Sequence, residues 1–396
     1  MKIRVLQLIY PLFAIALLEF LLTGNRGDHD STFNFISLSK YLLICFYLMF
    51  FSLNSMSGGE KSLKVYKSNS FFLLVLLFLL SIVLTCFFNN STFSSYLGIA
   101  KIILIMISCH MMALNFSVSD LCRFWDASVR LTLPIVCFVI TLGIINNIVN
   151  GFSRTSFFIF NLTHYLPYVI VMFIYVLLCY KGSGKKTYAF ILFLYIVITA
   201  SRGGIAGLIL SLGLSYILFY KDNLTKKMWF VFLGGISSLL VIVVLLYLRS
   251  SEISSLSDEP YRYILIQAAL QGVLENPLTG NGYLTFVEKS KALATGVGLE
   301  LVKSKSTHNT HLELAYSFGI LAYILFLCFF YYSVKSLKKC FKYNKEFSLF
   351  YMASLGYLFI HSFTANMESS PLLWFVICSS LNLQRYFYEE NRSAML

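Results

Sequence analysis

Charge is scarce in this chain. Asp, Glu, Lys and Arg make up 12% of its 396 residues, about half of the roughly 25% that a soluble globular domain carries. Long polar stretches are scarce too, and only the segment 249–311 is hydrophilic over any distance. The nine cysteines include no CxxC pair, none of them falls in that segment, and they outline no disulfide framework. No short-period repeat is present. A soluble globular enzyme, a disulfide-stapled secreted module and a solenoid are therefore excluded.

What fills the chain is apolar. Hydrophobic residues account for 58% and aromatic residues for 17%. Apolar runs of about 20 residues recur throughout, each long enough to cross a hydrocarbon core of roughly 30 Å. An outer-membrane barrel would instead show alternating segments of about 10 residues. The chain is read as an all-α polytopic integral membrane protein with about twelve transmembrane helices. They are placed at 3–23, 33–54, 70–88, 94–114, 130–149, 162–180, 187–200, 204–220, 228–248, 312–334, 347–364 and 370–387. The first lacks a small-residue cleavage site and is read as a retained helix. Three regions follow: helices one to nine in 1–248, a large loop in 249–311, and helices ten to twelve with a tail in 312–396.

The basic residues fix a sidedness. With the N-terminus (Lys2, Arg4) in the cytoplasm, every short inner loop is basic, as the positive-inside rule requires. Lys61, Lys64 and Lys67 lie in one such loop, Arg123 and Arg130 in the next, and Lys335, Lys338, Lys339, Lys342 and Lys345 in the last. Both termini then lie inside and the large loop outside. The net charge of +13 is mostly this topogenic signal, so no nucleic-acid partner is needed to explain it.

The outer loop is balanced in charge, so it is not a polybasic lipid-headgroup patch. Within it, 261–275 reads as a helix with Pro260 and acidic residues at its first turn. Its broad apolar face (Ile264, Leu265, Ala268, Leu274) would lie at the membrane surface or pack on the spans. "NPLTGNGY" (276–283) stops that helix with proline and glycines. Residues 284–305 form a second helical stretch and a loop. "THNTHLEL" (307–314) opens the tenth span, where Asn309 or Thr310 can cap the helix and Thr310-x-x-Glu313 fits a capping box. Such a helix start is also a ready anion site, with His308 beside it.

Candidate chemistry concentrates on the outer side. Arg202, in "ITASRGGIAG" (197–206), sits in a tight turn between spans seven and eight. It reads either as a snorkelling anchor or as an anion clamp, with Gly203 and Gly204 leaving room for a bulky ligand. Arg262 stands in the first turn of the loop helix and Arg154 in another outer loop. His308 and His311 lack a third ligand at recognisable spacing, so zinc is not expected. Asp28-His29-Asp30 has a DxD form, though two carboxylates in a short polar loop are ordinarily just solvated. Glu19, Lys40 and Lys101 fall in the outer halves of their spans, where a Glu19–lysine pair is the simplest reading.

These pieces resemble the O-antigen ligase and O-antigen polymerase superfamily of bacterial membrane glycosyltransferases. The matching segments are "TASRGG" (199–204), "RYILIQAALQGVLENPLTGNGY" (262–283) and "HNTHLELAYSFGI" (308–320), with weaker likeness in "GFSRTSFFIFNLTHY" (151–165) and "YLGIAKIILI" (96–105). The resemblance covers roughly 96–330 and departs at Ala322, where the family often has glycine. It implies a GT-C-type enzyme of the bacterial inner membrane that works without a metal or other cofactor. Such an enzyme moves a glycan from undecaprenyl diphosphate to an acceptor at the periplasmic face. By match, Arg202 and Arg262 would bind the diphosphate and His308 would serve the acceptor or leaving group. Arg154, Lys101, Asn309 and Glu313 would be secondary.

The partners implied are an undecaprenyl-diphosphate-linked oligosaccharide, membrane lipids and a chain-length regulator protein. The motifs look more like the polymerase than the ligase, which would join the glycan to lipid A core. A lipid-linked sugar transporter or flippase is the reading from a different class. Its paired repeats and midplane charges are not seen here.

Overall fold

The computed structural model describes residues 69–89, 93–116, 118–150, 162–199, 202–220, 258–293, 307–368 and 370–395. The spans expected at 3–23, 33–54 and 228–248, together with Glu19, Asp28, Asp30, Lys40 and Arg154, lie outside the described residues. Among the described residues every regular element is a helix and no strand occurs.

In chain order the helices are α1 (Asn69–Phe88), α2 (Phe93–Asn115), α3 (Val118–Asn150), α4 (Leu162–Leu178), α5 (Lys185–Ile198), α6 (Arg202–Tyr220), α7 (Asp258–Glu275), α8 (Phe286–Leu293), α9 (Thr310–Cys340), α10 (Lys345–His361) and α11 (Pro371–Met395). By length and apolar composition, Val118–Leu142 and Thr310–Cys340 are each able to cross a membrane, and shorter apolar helices accompany them. Most expected spans coincide with helices to within a few residues. The exception is α3, which begins at Val118, so Arg123 and Arg130 are helical and not in a loop. Nothing in Val118–Leu131 breaks a helix, and Asp120 stands in the first turn, where the helix dipole favours an acid.

α9 is the axis of the fold. It packs on α1, α7, α10 and α11, while α10 packs on α4 and α6, and α11 on α2. Apolar burial alone does not join helices in lipid, because lipid tails are as apolar as leucine; packing shape, small residues and interhelical hydrogen bonds do. Aromatic side chains supply the shape. Trp125 of α3 meets Phe350 and Tyr351 of α10, Tyr175 of α4 and Phe375 of α11, and its indole N–H donates to the Tyr351 hydroxyl at 3.0 Å. Trp374 of α11 sits among Phe78 of α1 and Phe326 and Phe329 of α9.

α9 is also broken. Gly319 has φ 81° and ψ 170°, a region of backbone space open essentially to glycine alone. A break inside an apolar helix strands backbone polar groups that lipid cannot satisfy. The segment 276–283 supplies the partners. The Ile320 amide donates to the Pro277 carbonyl at 2.7 Å, the Asn281 amide to Tyr316 O at 2.8 Å, and the Gly282 amide to Ser317 O at 3.1 Å. The Thr85 hydroxyl of α1 donates to Phe318 O at 3.3 Å. The "NPLTGNGY" motif is therefore a strap laid into the helix break.

Contact this close leaves no room for a Cβ. One built on Gly319 would fall on the Leu278 carbonyl, and one on Gly280 (φ 66°) would stand 2.5 Å from Ser317 O. Beyond the break, Ile320–Cys340 offers the length of about 20 residues that a bilayer core demands. Gly319→Ala should lower stability by about 1–3 kcal/mol from backbone strain alone, with the steric clash adding to that. Thermal unfolding of the purified protein in detergent checks this, and an unshifted midpoint would contradict the break.

Candidate functional site

One end of the bundle gathers most of the chemistry-bearing residues. The start of α9 is held there by the link between α10 and α11. The Thr310 amide donates to Ser362 O at 2.8 Å and to Ala365 O at 3.2 Å. The Thr310 hydroxyl donates to Ala365 O and accepts from the Met367 amide, both at 2.7 Å. α6 reaches the same link, because a Cβ on Gly203 would lie 3.4 Å from the Thr364 hydroxyl. Arg202, the first residue of α6, is thereby placed at the end of the bundle that carries His308.

Gly203 is not open space for a ligand. It belongs to a row of small residues, Gly203, Gly207, Ser211 and Ser215, one helical turn apart. Gly207 faces Tyr357 and Ile360 of α10, and Ser211 faces Gly356. Small residues at this spacing let two helix backbones approach closely in a membrane, which is why α6 and α10 pack together.

The α9 cap differs from the expected box. Asn309 is the N-cap, its side-chain oxygen accepting from the His311 amide at 2.9 Å and the Leu312 amide at 3.1 Å. Thr310 is inside the helix, its hydroxyl turned to the α10–α11 link. Glu313 is buried and accepts from the Thr307 amide at 3.1 Å and from the Ser317 hydroxyl at 2.9 Å. Its carboxylate reaches past the cap instead of closing a box with Thr310. Thr307 completes the corner: its hydroxyl donates to Asn309 O at 2.7 Å and accepts from the Asn309 amide at 3.2 Å. Between these anchors His308 takes a left-handed backbone, φ 51°, and is exposed.

The two histidines do not converge. His311 is buried, its Nε2 2.7 Å from the Ser362 hydroxyl, its ring stacked on Phe363 at 3.9 Å and met edge-on by Phe359 and Tyr323. Among the described residues no group of three His, Cys, Asp or Glu side chains could hold a metal ion.

Lys101 has a carboxylate neighbour that the sequence reading overlooked. Glu368, buried in the α10–α11 link, lies close enough for the two charges to interact. The Glu368 carbonyl accepts from the Trp374 indole at 2.7 Å. One signal was available, since Glu368 is the sole carboxylate in the short link between two apolar spans. Tyr283, at the foot of the strap, sits in the same neighbourhood and feels the charges of both Glu368 and Glu313, while burial holds its phenol well above the usual range. Its ring stacks on Phe318 at 5.6 Å and lies against Gly98 of α2, where a Cβ would come within 2.5 Å. Ser95 of α2 donates to Tyr283 O at 2.7 Å.

α7 joins this assembly through α9. Leu265, Ala268 and Ala269 pack with Phe286 of α8 and Tyr316 of α9, and Gly272 lies against the Tyr316 ring. Arg262 stands on the first turns of that helix. α8 is tied back to α7 by the Lys289–Glu275 ion pair, and Lys289 holds the Glu275 carboxyl below its ordinary range.

Residues 187–327 match the model of a family described as O-antigen ligase. That segment is similar to the O-antigen ligase/polymerase superfamily. It runs from α5 to the middle of α9 and so contains Arg202, Arg262, the strap, His308 and the Gly319 break. No curated protein matches the chain. The likeness extends over those elements and fits a membrane protein. The apolar helices described above agree with the membrane assignment.

Proposed function

We propose that the chain is an O-antigen polymerase with about twelve spans and GT-C-type architecture. It would lie in the inner membrane, termini inside and active site on the periplasmic side. It would transfer a glycan from undecaprenyl diphosphate onto another lipid-linked repeat unit. The observation that carries this reading is the family-matching segment, which contains an exposed His308 at the end of the bundle where α6 begins with Arg202.

The chemistry needs no group beyond the chain's own cations. An acceptor hydroxyl attacks the anomeric carbon. The bond from that carbon to the diphosphate oxygen breaks, and its electron pair leaves with the lipid diphosphate. Arg202 and Arg262 neutralise the departing charge, since a guanidinium grips phosphate oxygens through two parallel hydrogen bonds. His308 accepts the hydroxyl proton, as an imidazole does readily near neutral pH. One displacement inverts the anomeric centre. Lys101 with Glu368 in its neighbourhood, and Asn309 and Glu313 at the start of α9, would hold the surroundings, and Arg154 would add positive charge. A chain-length regulator is the expected protein partner.

The second reading is O-antigen ligase, which the description of the matching family favours. A deletion strain separates the two. Loss of a polymerase leaves a single repeat on the lipid A core, whereas a bare core would identify the ligase. In the complemented strain Arg202→Ala and Arg262→Ala should each lower elongation by at least about a hundredfold, as removal of a charge stabiliser does, with Arg→Lys retaining part of it. Normal chains from Arg202→Ala would reduce that residue to an anchor.

Thr307 positions His308 without touching substrate. Thr307→Val should lower kcat several-fold with little change in KM, and Thr307→Ser should restore it. In His308→Ala the further change Thr307→Val should cost nothing more, because a group that acts only through the imidazole has no effect without it. Multiplying losses in the double variant would make Thr307 merely structural.

A further inference from the structure

α7 presents three faces to three surroundings. Along one face Leu265, Ala268, Ala269 and Gly272 are buried against α8 and α9. A second face carries Gln267, Gln271 and Glu275, all exposed, with Gln271 donating to Glu275 at 3.1 Å and Glu275 paired with Lys289. The third face is apolar and uncovered. Ile266 is 43% exposed, Leu270 49% and Leu274 80%, one turn apart, and Leu278 of the strap continues the row at 77%. At 100° per residue these three sets occupy separate sectors of the helix.

A row of bare leucines facing water is unusual for a loop, and contiguous apolar patches mark contact with something. The neighbours of this row say with what. Directly after Leu278, the Thr279 carbonyl accepts from the Asn89 side chain at 3.2 Å, which ties the strap to the end of α1. There Phe87 and Phe88 are exposed, as is Phe93 at the start of α2. Below them α1 bares Leu73, Leu76, Leu80, Val83 and Leu84, the face that a spanning helix turns to lipid. The α7 row thus extends the lipid-facing side of α1 beyond its end.

We propose that the Ile266–Leu270–Leu274–Leu278 row is embedded in the lipid leaflet at the α1–α2 end of the molecule. It would lie at the boundary of headgroups and acyl chains, with Gln267, Gln271 and Glu275 turned to water. An interfacial helix ordinarily buries a single apolar face in this way; α7 has a second one because it also packs on protein. The lipid face stands on the exposure pattern alone. Its consequence, that Arg262 is held at headgroup depth where a lipid diphosphate presents its phosphates, rests on the proposed glycosyl transfer.

The test is fluorescence quenching on the full-length protein in phosphatidylethanolamine/phosphatidylglycerol vesicles, with tryptophan placed at Leu274→Trp or Gln271→Trp. The three native tryptophans give a common background that is subtracted. Lipids brominated near the headgroup end of the acyl chain should quench Leu274→Trp at least about twofold more than Gln271→Trp, and aqueous acrylamide should show the opposite order. Leu270→Trp repeats the measurement if Leu274→Trp does not fold. Stronger quenching of Leu274→Trp by acrylamide would overturn the proposal. So would protection from both quenchers, which would mean that a protein partner or a second copy covers the row. Lipid quenching in a preparation that elongates nothing would count against the glycosyl-transfer reading alone.

Discussion

The rest of the structure depends on how one helix break is satisfied. At Gly319 the backbone of α9 leaves helical geometry inside an apolar segment, where no solvent stands ready to bond the released carbonyls and amides. The strap 276–283 bonds to Tyr316, Ser317 and Ile320 through its own backbone, and α1 adds the Thr85 hydroxyl at Phe318. Because these are main-chain bonds at close approach, the strap cannot shift without stranding polar groups. A segment that would otherwise be a surface loop is fixed to the bundle. With it are fixed α7, which precedes the strap, and α8, which follows it.

That attachment organises the functional end of the molecule. Above the break, His308 stands just before α9 at a corner locked by Thr307, Asn309 and Glu313. The α10–α11 link clamps Thr310 from one side and receives α6 through Gly203. At its foot the strap delivers Tyr283 to α2, the helix that carries Lys101, in the neighbourhood of Glu368. An enzyme that brings a lipid-borne anion to a fixed nucleophile and base needs its cationic groups on rigid supports. In the proposed transfer the start of α9 would be such a support, braced by backbone hydrogen bonds from the α10–α11 link.

The sequence made the helices legible because apolar length is a strong signal in a membrane protein, and α1, α2, α4, α5, α6, α10 and α11 begin or end near the expected positions. Its proline and glycines marked 276–283 as the end of a helix. They did not say what the segment binds, since the Gly319 break lies in a uniformly apolar run where glycine is common. The capping pattern left Asn309 and Thr310 both open as caps, and the pull of Ser362 and Ala365 on Thr310 decides for Asn309. Lys101 and Glu368 are far apart in the chain, and local pattern holds no trace of their meeting. Gly203 looked like clearance in sequence and is a contact with the α10–α11 link in the fold, a distinction that only the facing residues reveal.

The most direct test of the account is elongation by the purified protein. Reconstituted in vesicles with a lipid-linked repeat unit as both donor and acceptor, the protein should yield a ladder of lipid-linked oligomers. Transfer that occurs only when lipid A core is supplied, or no transfer to either acceptor, would contradict it.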